Sequence, residues 1–147
     1  MLTQTAQYAL RTVLRLAAGD RARRTVEELA DELDMPRNYL SKTLHLLARA
    51  GVVESSRGKH GGFRLRRAPH RITLREVVAP FEAVGQRVCL LGKPTCSDRH
   101  ACPAHARWKA VSDALALFFA RTTVAELLDP PGGAPPPPRV TSTRSLS

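Results

Sequence analysis

Apolar side chains in the first third of the chain recur every three to four residues, which is the pattern of helices that bury one face. The first helix is predicted over Ala6–Ala18, and Gly19-Asp20 ends it. Thr25-Val26-Glu27-Glu28 has the residues of a capping box and predicts the start of a shorter second helix. A third helix is predicted over Arg37–Ala50, with Gly51 as its C-terminal cap. The second and third helices, separated by a short turn, make a predicted helix-turn-helix.

The pattern then changes to short segments rich in residues that favour strands. These segments are Val52–Ser56 and Phe63–Arg66, and the residues between them, Arg57–Gly62, are basic and rich in glycine. Two short strands joined by such a tip predict a β-hairpin.

The second half of the chain is predicted to be helical again, with one long interruption. A second capping box, Thr73-Leu74-Arg75-Glu76, begins a helix that we expect to continue through about Val84. Residues 85–103 contain all three cysteines and little periodicity, so a loop is predicted there. A long helix follows from about His105 to Arg121, with Trp108, Val111, Leu115, Phe118 and Phe119 on one stripe, and a third capping box at Thr123 begins a short terminal helix.

The composition indicates a chain with an anionic partner. Lys and Arg number 23 against 13 Asp and Glu, a net charge of +10, and nucleic acid is the first candidate for such a chain. The longest apolar run, Ala114–Ala120, is far shorter than the roughly 18 residues of a membrane-spanning helix. The first residues do not have the pattern of a signal peptide, and three cysteines favour a reducing compartment. We therefore expect a cytoplasmic protein that does not bind a membrane.

A helix-turn-helix followed by a basic, glycine-tipped hairpin is the order of elements in a winged helix-turn-helix, so double-stranded DNA is the predicted partner. The second helix of such a pair enters the major groove, where Arg pairs with guanine and Asn with adenine. The candidate DNA-contacting residues of this helix are Arg37, Asn38, Tyr39, Ser41 and Lys42. The candidates in the hairpin, which suits phosphates or the minor groove, are Arg57, Lys59, His60 and Arg64.

Three thiols and one imidazole lie within 17 residues, in the pattern Cys89-x6-Cys96-x5-Cys102-x2-His105. Thiolates with an imidazole suit zinc or an iron–sulfur cluster and poorly suit magnesium or calcium. A loop offers little apolar interior in which unliganded thiols could be buried, so metal or cluster binding is predicted. A neighbouring histidine, His100, could also complete such a site.

Two other interpretations of the cysteines remain open from the residues alone. The spacing is close to that of Cys-Cys-Cys-His zinc fingers that bind RNA, but such fingers stack bases on aromatic rings, and residues 90–104 contain no Phe, Tyr or Trp. The second interpretation is a catalytic cysteine that acts as a nucleophile beside a histidine. Nothing in the sequence indicates a substrate pocket or an orienting third residue, so neither an enzyme nor a small-molecule substrate is predicted.

Several further groups of residues fit one known family. They are Leu2-Thr3 with Tyr8-Ala9-Leu10, Asn38–Lys42, Arg57-Gly58 with Gly61–Leu65, the three cysteines with Trp108, and Thr122-Thr123 with Glu126-Leu127. In these residues the chain resembles the Rrf-two family of bacterial transcriptional regulators, whose iron–sulfur members include the IscR, NsrR and RirA regulators. The resemblance covers about residues 2–128.

The resemblance implies a homodimer in which the long helix crosses its twin, with a cluster loop near the interface. It also implies that Cys89, Cys96 and Cys102 bind an iron–sulfur cluster, and that His105 matches the histidine ligand of IscR-like members that hold a 2Fe–2S cluster. Gln7 lies where NsrR-like members with a 4Fe–4S cluster have an acidic residue, so 2Fe–2S is favoured. Ser41 lies where IscR has a base-reading Glu, so no operator preference is carried over. Structural zinc without a sensing role is the alternative.

The sequence thus predicts a mainly α protein with a small β-hairpin, divided into four regions. These are a winged helix-turn-helix domain over residues 1–84, a cluster-binding loop over 85–104, a dimerisation helix with a short terminal helix over 105–128, and a disordered, proline-rich tail over 129–147. The predicted function is DNA-binding transcriptional regulation modulated by the cluster, which senses iron or cluster status, nitric oxide or redox state.

Overall fold

The computed structural model describes residues 2–84, 89–92 and 97–128. It is mainly helical with one antiparallel hairpin, as predicted. The helices are α1 (Gln4–Ala17), α2 (Val26–Leu33), α3 (Arg37–Arg49), α4 (Leu74–Val78), α5 (His105–Arg121) and α6 (Val124–Leu128), the strands are β1 (Val53–Ser56) and β2 (Gly62–Leu65), and single 3-10 turns cover Pro69–Arg71 and Asp98–His100. No helix within these described ranges has the length and apolar character needed to cross a bilayer. Cys96 and the predicted tail lie outside the described residues.

Local capping sets where most helices begin and end. At α2 and α4 the N-cap threonine accepts from the backbone three residues on, while the N3 glutamate accepts from the threonine N–H. At the end of α3, Gly51 has a φ of 76°. Its N–H donates to Ala48 and that of Val52 donates to Leu47, which is a Schellman motif. The chain therefore turns sharply from α3 into the hairpin.

One continuous apolar core joins the helices to the hairpin. The fully buried side chains include Leu29, Leu40, Leu44, Leu47, Ile72 and Val124. Helix α1 contributes Ala9 and Val13 to this core and packs against α2, α3, β2, α4 and α6. Helices α3 and α6 are thus held by the same neighbour, α1.

The hairpin is extended by a short bridge that the sequence did not predict. Strands β1 and β2 pair antiparallel, with Val53 opposite Leu65 at the base and Ser56 opposite Gly62 near the tip. Arg24 then exchanges both backbone hydrogen bonds with Phe63, each 2.8 Å long. A Cβ on Gly62 would lie 2.6 Å from the Arg24 carbonyl oxygen, so only glycine fits there. The segment before α2 is therefore fixed against the hairpin.

Two predictions about the helices need correction. The helix after Thr73 ends at Val78 rather than near Val84, because Pro80 follows closely and has no N–H to continue the ladder. Phe119 is buried in the core and does not share the exposed stripe of α5. Val111, Leu115 and Phe118 form the exposed apolar face of this helix instead, and Leu117 is exposed on another side.

The capping carboxylates should make stability depend on acid pH. The Thr25 N–H donates to the Glu28 carboxylate. This hydrogen bond and the one from Arg24 hold the pKa of Glu28 below its usual 4.5. A carboxylate whose pKa is lower in the folded state stabilises the fold above the usual pKa, and that contribution is lost as the pH falls through the folded value. Glu28→Gln keeps an N3 side chain that can accept the Thr25 hydrogen bond but does not titrate.

We therefore expect Glu28→Gln to lose less unfolding free energy than the wild type between about pH 5 and pH 3. Urea unfolding followed by circular dichroism measures this difference. Equal losses in the two proteins would show that the Glu28 carboxylate does not contribute to acid unfolding.

Candidate functional site

The first turn of α3 presents polar side chains to solvent. Leu40, Thr43, Leu44 and Leu47 fix the opposite face of this helix in the core. The predicted contact residues Arg37, Asn38, Tyr39 and Lys42 are exposed and Ser41 is half-buried, and Tyr39 is 60% exposed. The Tyr39 side chain therefore does not contribute to the core. The structure thus places these five residues on one exposed end of α3.

The tip of the hairpin is built by glycine and left exposed. The Gly61 N–H donates to the Gly58 carbonyl, and a Cβ on Gly61 would lie 2.5 Å from the Ser56 oxygen. This tight turn exposes Arg57, Lys59 and His60. Among the described residues, Arg57 and Lys59 form no ion pair, so both cations are available to an anionic partner.

Arg64 differs from the other predicted hairpin residues. It lies opposite Glu54 on the paired strand and forms an ion pair with it. Hydrogen bonding from Arg64, together with the charges of Arg23 and Arg66, holds the pKa of Glu54 below its usual value. Arg64 is therefore engaged at the base of the hairpin, away from the tip.

A contact between His45 of α3 and Phe63 of β2, which the sequence did not predict, joins the hairpin to α3. His45, an exposed residue of α3, lies edge-on to Phe63 with ring centroids 6.0 Å apart. Its Nδ1 lies 2.7 Å from the Ser41 carbonyl oxygen one turn earlier. The spacing of Asn38, Ser41 and His45, which repeats at three and four residues, is the signal that could have placed His45 on the same face.

Two of the four acidic residues of α2, Glu28 and Glu32, pair with arginines that precede the helix. Glu32 pairs with Arg15 and Arg24, and Glu28 pairs with Arg24. Hydrogen bonding from Arg15, followed by that from Arg24, lowers the pKa of Glu32. Glu28 and Glu32 are therefore matched locally, while Asp31 lies 3.9 Å from Arg37 of α3, and Glu27 has no ion pair among the described residues.

The cysteine residues that the structure describes lie at the start of α5. Cys89 is buried and Cys102 is half-buried. The residues that follow them, Leu90 and Pro103, line one surface cleft together with Trp108. The Cys102 carbonyl accepts from the His105 N–H at 2.9 Å. Both thiol-bearing segments therefore meet at the N-terminal end of this helix, while Cys96 lies outside the described residues.

His105 is 6% exposed and has a carboxylate partner that was not predicted. Its Nε2 lies 2.8 Å from Asp98 Oδ1. Metal-binding histidines commonly donate one ring N–H to a carboxylate, which orients the ring and fixes the tautomer. The contact joins the 3-10 turn to the first residue of α5, so no periodicity in the sequence could have indicated it. His100, the other candidate imidazole, is exposed.

These residues fit a soft metal centre by their chemistry. Thiols and one oriented imidazole are ligands of iron–sulfur clusters and of zinc. Within residues 2–84, 89–92 and 97–128, no three His, Cys, Asp or Glu side chains come close enough together to hold a metal ion. A complete site would therefore draw on Cys96 as well as the described donors.

Comparisons with known proteins agree with this architecture. A family model described as Rrf2, iron-dependent transcriptional regulator, matches residues 2–130. An HTH-type transcriptional regulator of Aquifex aeolicus is 33% identical over 132 residues, which cover 88% of this chain and 92% of the relative. The HTH-type transcriptional regulator IscR of Vibrio campbellii is 27% identical over 128 residues, which cover 86% of this chain and 76% of the relative. These relatives are transcriptional regulators and not enzymes, in agreement with the sequence analysis.

A solved structure supports the fold independently. The structure of CymR, the global cysteine regulator of B. subtilis, matches with a TM-score of 0.73 at 21% identity. The match covers 87% of this chain and 95% of that chain. The winged helix fold predicted from the sequence is confirmed.

Proposed function

Because this chain belongs to the Rrf2 family of transcriptional regulators, we propose that it is a homodimeric DNA-binding regulator controlled by an iron–sulfur cluster. Cys89, Cys96, Cys102 and His105 are the proposed ligands, and a 2Fe–2S cluster fits this set better than 4Fe–4S. The cytoplasm, where thiols stay reduced, is the proposed location. The observation that carries the proposal is the arrangement along α5, which has thiols and an oriented imidazole at its start and the reading domain at its end.

The DNA-binding part of the proposal rests on exposure and charge. Arg37, Asn38 and Lys42 project from the first turns of α3, where the recognition helix of such folds meets base edges. Arg57 and Lys59 lie at the exposed hairpin tip, where cations contact phosphates or the minor groove. Because α3 and the hairpin share one core, both contacts would be made together on one face.

The cluster part rests on the donor chemistry and on the position of the site. The bound cluster would supply a centre that can be lost, oxidised or nitrosylated, and whose presence orders the loop before α5. His105 would be held for ligation by Asp98, and the positive end of the α5 dipole would favour an anionic thiolate site. A change in that loop would then bias two arrangements of the reading domains, which is what a ligand-driven switch requires.

The dimer part rests on the exposed face of α5. Val111 is 58% exposed, Leu115 47% and Phe118 49%, and they lie on a 17-residue helix. Contiguous exposed apolar surface of this kind is uncommon on monomers and marks interaction sites. A second copy of α5 packed on this face would bury it. The two copies of α3 would then be related by a two-fold axis, as palindromic DNA requires.

Substitutions at the hairpin tip and on the reading helix should affect DNA binding differently. Arg57→Ala should weaken binding to operator and random duplexes by a similar factor and reduce the salt slope by about one unit, since a phosphate contact carries no sequence information. Asn38→Ala should cost about 1–3 kcal/mol at one base position and leave random DNA almost unaffected. Fluorescence anisotropy with single-base operator variants at several salt concentrations measures both effects.

Arg75→Ala on α4, an exposed arginine away from the hairpin, is the matched control for lost charge. If Arg75→Ala weakened binding as much as Arg57→Ala, the hairpin tip would have no special role. If Arg57→Ala changed sequence preference alone, its assignment to phosphate would be wrong.

Phe118→Asp should convert the dimer to a monomer and reduce operator affinity, because a charge would be buried at the centre of the proposed interface. Sedimentation velocity measures the mass, and Leu46→Asp, a comparably exposed leucine on α3, is the control. A monomeric wild type that bound a palindromic operator tightly would contradict the dimer proposal.

Cys96→Ala should abolish cluster binding and change operator affinity while the fold persists, since the core is built mainly from apolar helix faces. Visible absorbance of anaerobically purified protein and circular dichroism measure the two effects. Colourless wild type containing stoichiometric zinc, with operator affinity independent of the loop, would support the alternative of a structural zinc site.

A further inference from the structure

A cavity at the base of the hairpin is separate from both the proposed DNA face and the cysteine site. It has a volume of about 440 Å³ and lies between the end of α1, the residues before α2, and the segment that leaves β2. Four arginines and one carboxylate contribute to its lining: Arg21, Arg64, Arg66, Arg67 and Glu54. Its size is in the range of small-molecule sites in proteins.

The charges around this cavity are incompletely matched. Glu54 is shared between Arg64 and Arg23, and Arg67 pairs with Glu76. Within the described part of the chain, Arg21 and Arg66 form no close ion pair, although the charge of Arg66 acts on Glu54. The Arg67 guanidinium is held by Glu76 and the Arg71 carbonyl, which do not line the cavity. The remaining lining arginines still outnumber the one lining carboxylate, and such an excess of positive charge favours an anion.

Arg23, beside the cavity, shows the same excess of donors over acceptors. Its Nη2 lies 3.6 Å from Glu54 Oε1, at the long end of an ion pair. Its Nη1 is buried and has no hydrogen-bond partner among the residues that the structure describes. Arg23 does not itself line the cavity, but it adds a positive charge beside Glu54, which does.

The backbone at Arg21 is in a rare conformation. Its φ is 59°, in the left-handed region that side chains other than Asn and Asp seldom adopt. This conformation places a cation at the cavity between Gly19 and the start of α2. Backbone strain of this kind is concentrated at ligand-binding positions.

Part of the cavity wall is apolar and is formed by Leu16, Ala17, Leu65, Ala68 and Pro69. A bare inorganic ion would leave this wall without a contact, whereas an organic phosphate would place its charged group on the arginines and its organic part on the apolar side. Arginine forks match phosphate oxygens in bidentate geometry, and a phosphate monoester carries nearly two negative charges at neutral pH.

We propose that this cavity binds the phosphate group of a small phosphate monoester. The ligand would lie at the base of the hairpin, where Val53 pairs with Leu65, while the proposed DNA contacts lie at the tip beyond Ser56 and Gly62. It would bridge the α1–α2 connection and the hairpin, so the site is a second ligand site besides the cysteine cluster. The proposal does not depend on the cluster or on dimer formation.

The test is isothermal titration calorimetry of the full chain with ribose 5-phosphate, with ribose as the neutral counterpart. Ribose 5-phosphate should bind and ribose should not. Arg21→Gln and Arg66→Gln should each weaken binding about tenfold, the effect of one charged hydrogen bond. Arg57→Gln at the hairpin tip should bind like the wild type, and thermal unfolding of each variant shows that it is folded.

Three results would overturn the proposal. The first is equal binding of ribose, or no binding of ribose 5-phosphate at millimolar concentration. The second is equal weakening by Arg57→Gln, which would indicate general attraction to a basic surface. The third is displacement of ribose 5-phosphate by random duplex DNA together with a smaller DNA salt slope in Arg21→Gln, which would identify the occupant as a DNA phosphate.

Discussion

The position of α5 relative to α3 and the hairpin depends on two backbone hydrogen bonds between distant segments. The Leu74 N–H donates to the Thr122 carbonyl at 2.9 Å, and the Val124 N–H donates to the Ile72 carbonyl at 2.8 Å. Ile72 and Val124 are fully buried, so these polar groups would be costly to leave unpaired. The bonds join the start of α4 to the end of α5 and make the terminal helix part of the same core as α3.

Features determined by neighbouring residues could be predicted from the sequence, and features determined by distant contacts could not. The capping boxes at Thr25 and Thr73 and the glycine after α3 act within one or two turns, so the residues alone indicate them. The burial of Phe119 depends on which side of α5 meets the core. Periodicity identifies an apolar stripe on a helix but does not say which neighbour covers each member.

In the candidate site, too, the features set by the order of the elements could be predicted, and those set by distant contacts could not. The exposed residues of α3 and the hairpin tip follow from the order of the elements, so they could be proposed from the sequence. The pairing of Arg64 with Glu54, the contact of His45 with Phe63, and the contact of Asp98 with His105 are cross-strand or tertiary contacts. Net charge likewise indicates an excess of cations but not where it lies on the surface. That location depends on which arginines pair with carboxylates, as Arg15 and Arg24 do with Glu32.

The anchoring of α5 has a mechanical consequence. Its 17 residues span about 25 Å, and Phe119 in its final turns is held in the core. A rod fixed near one end acts as a lever, so a tilt of about ten degrees at the anchor moves the far end by about 4 Å. The length of α5 therefore sets how strongly motion is amplified between its two ends. A small rotation beside Thr122 corresponds to a displacement of several ångströms at His105.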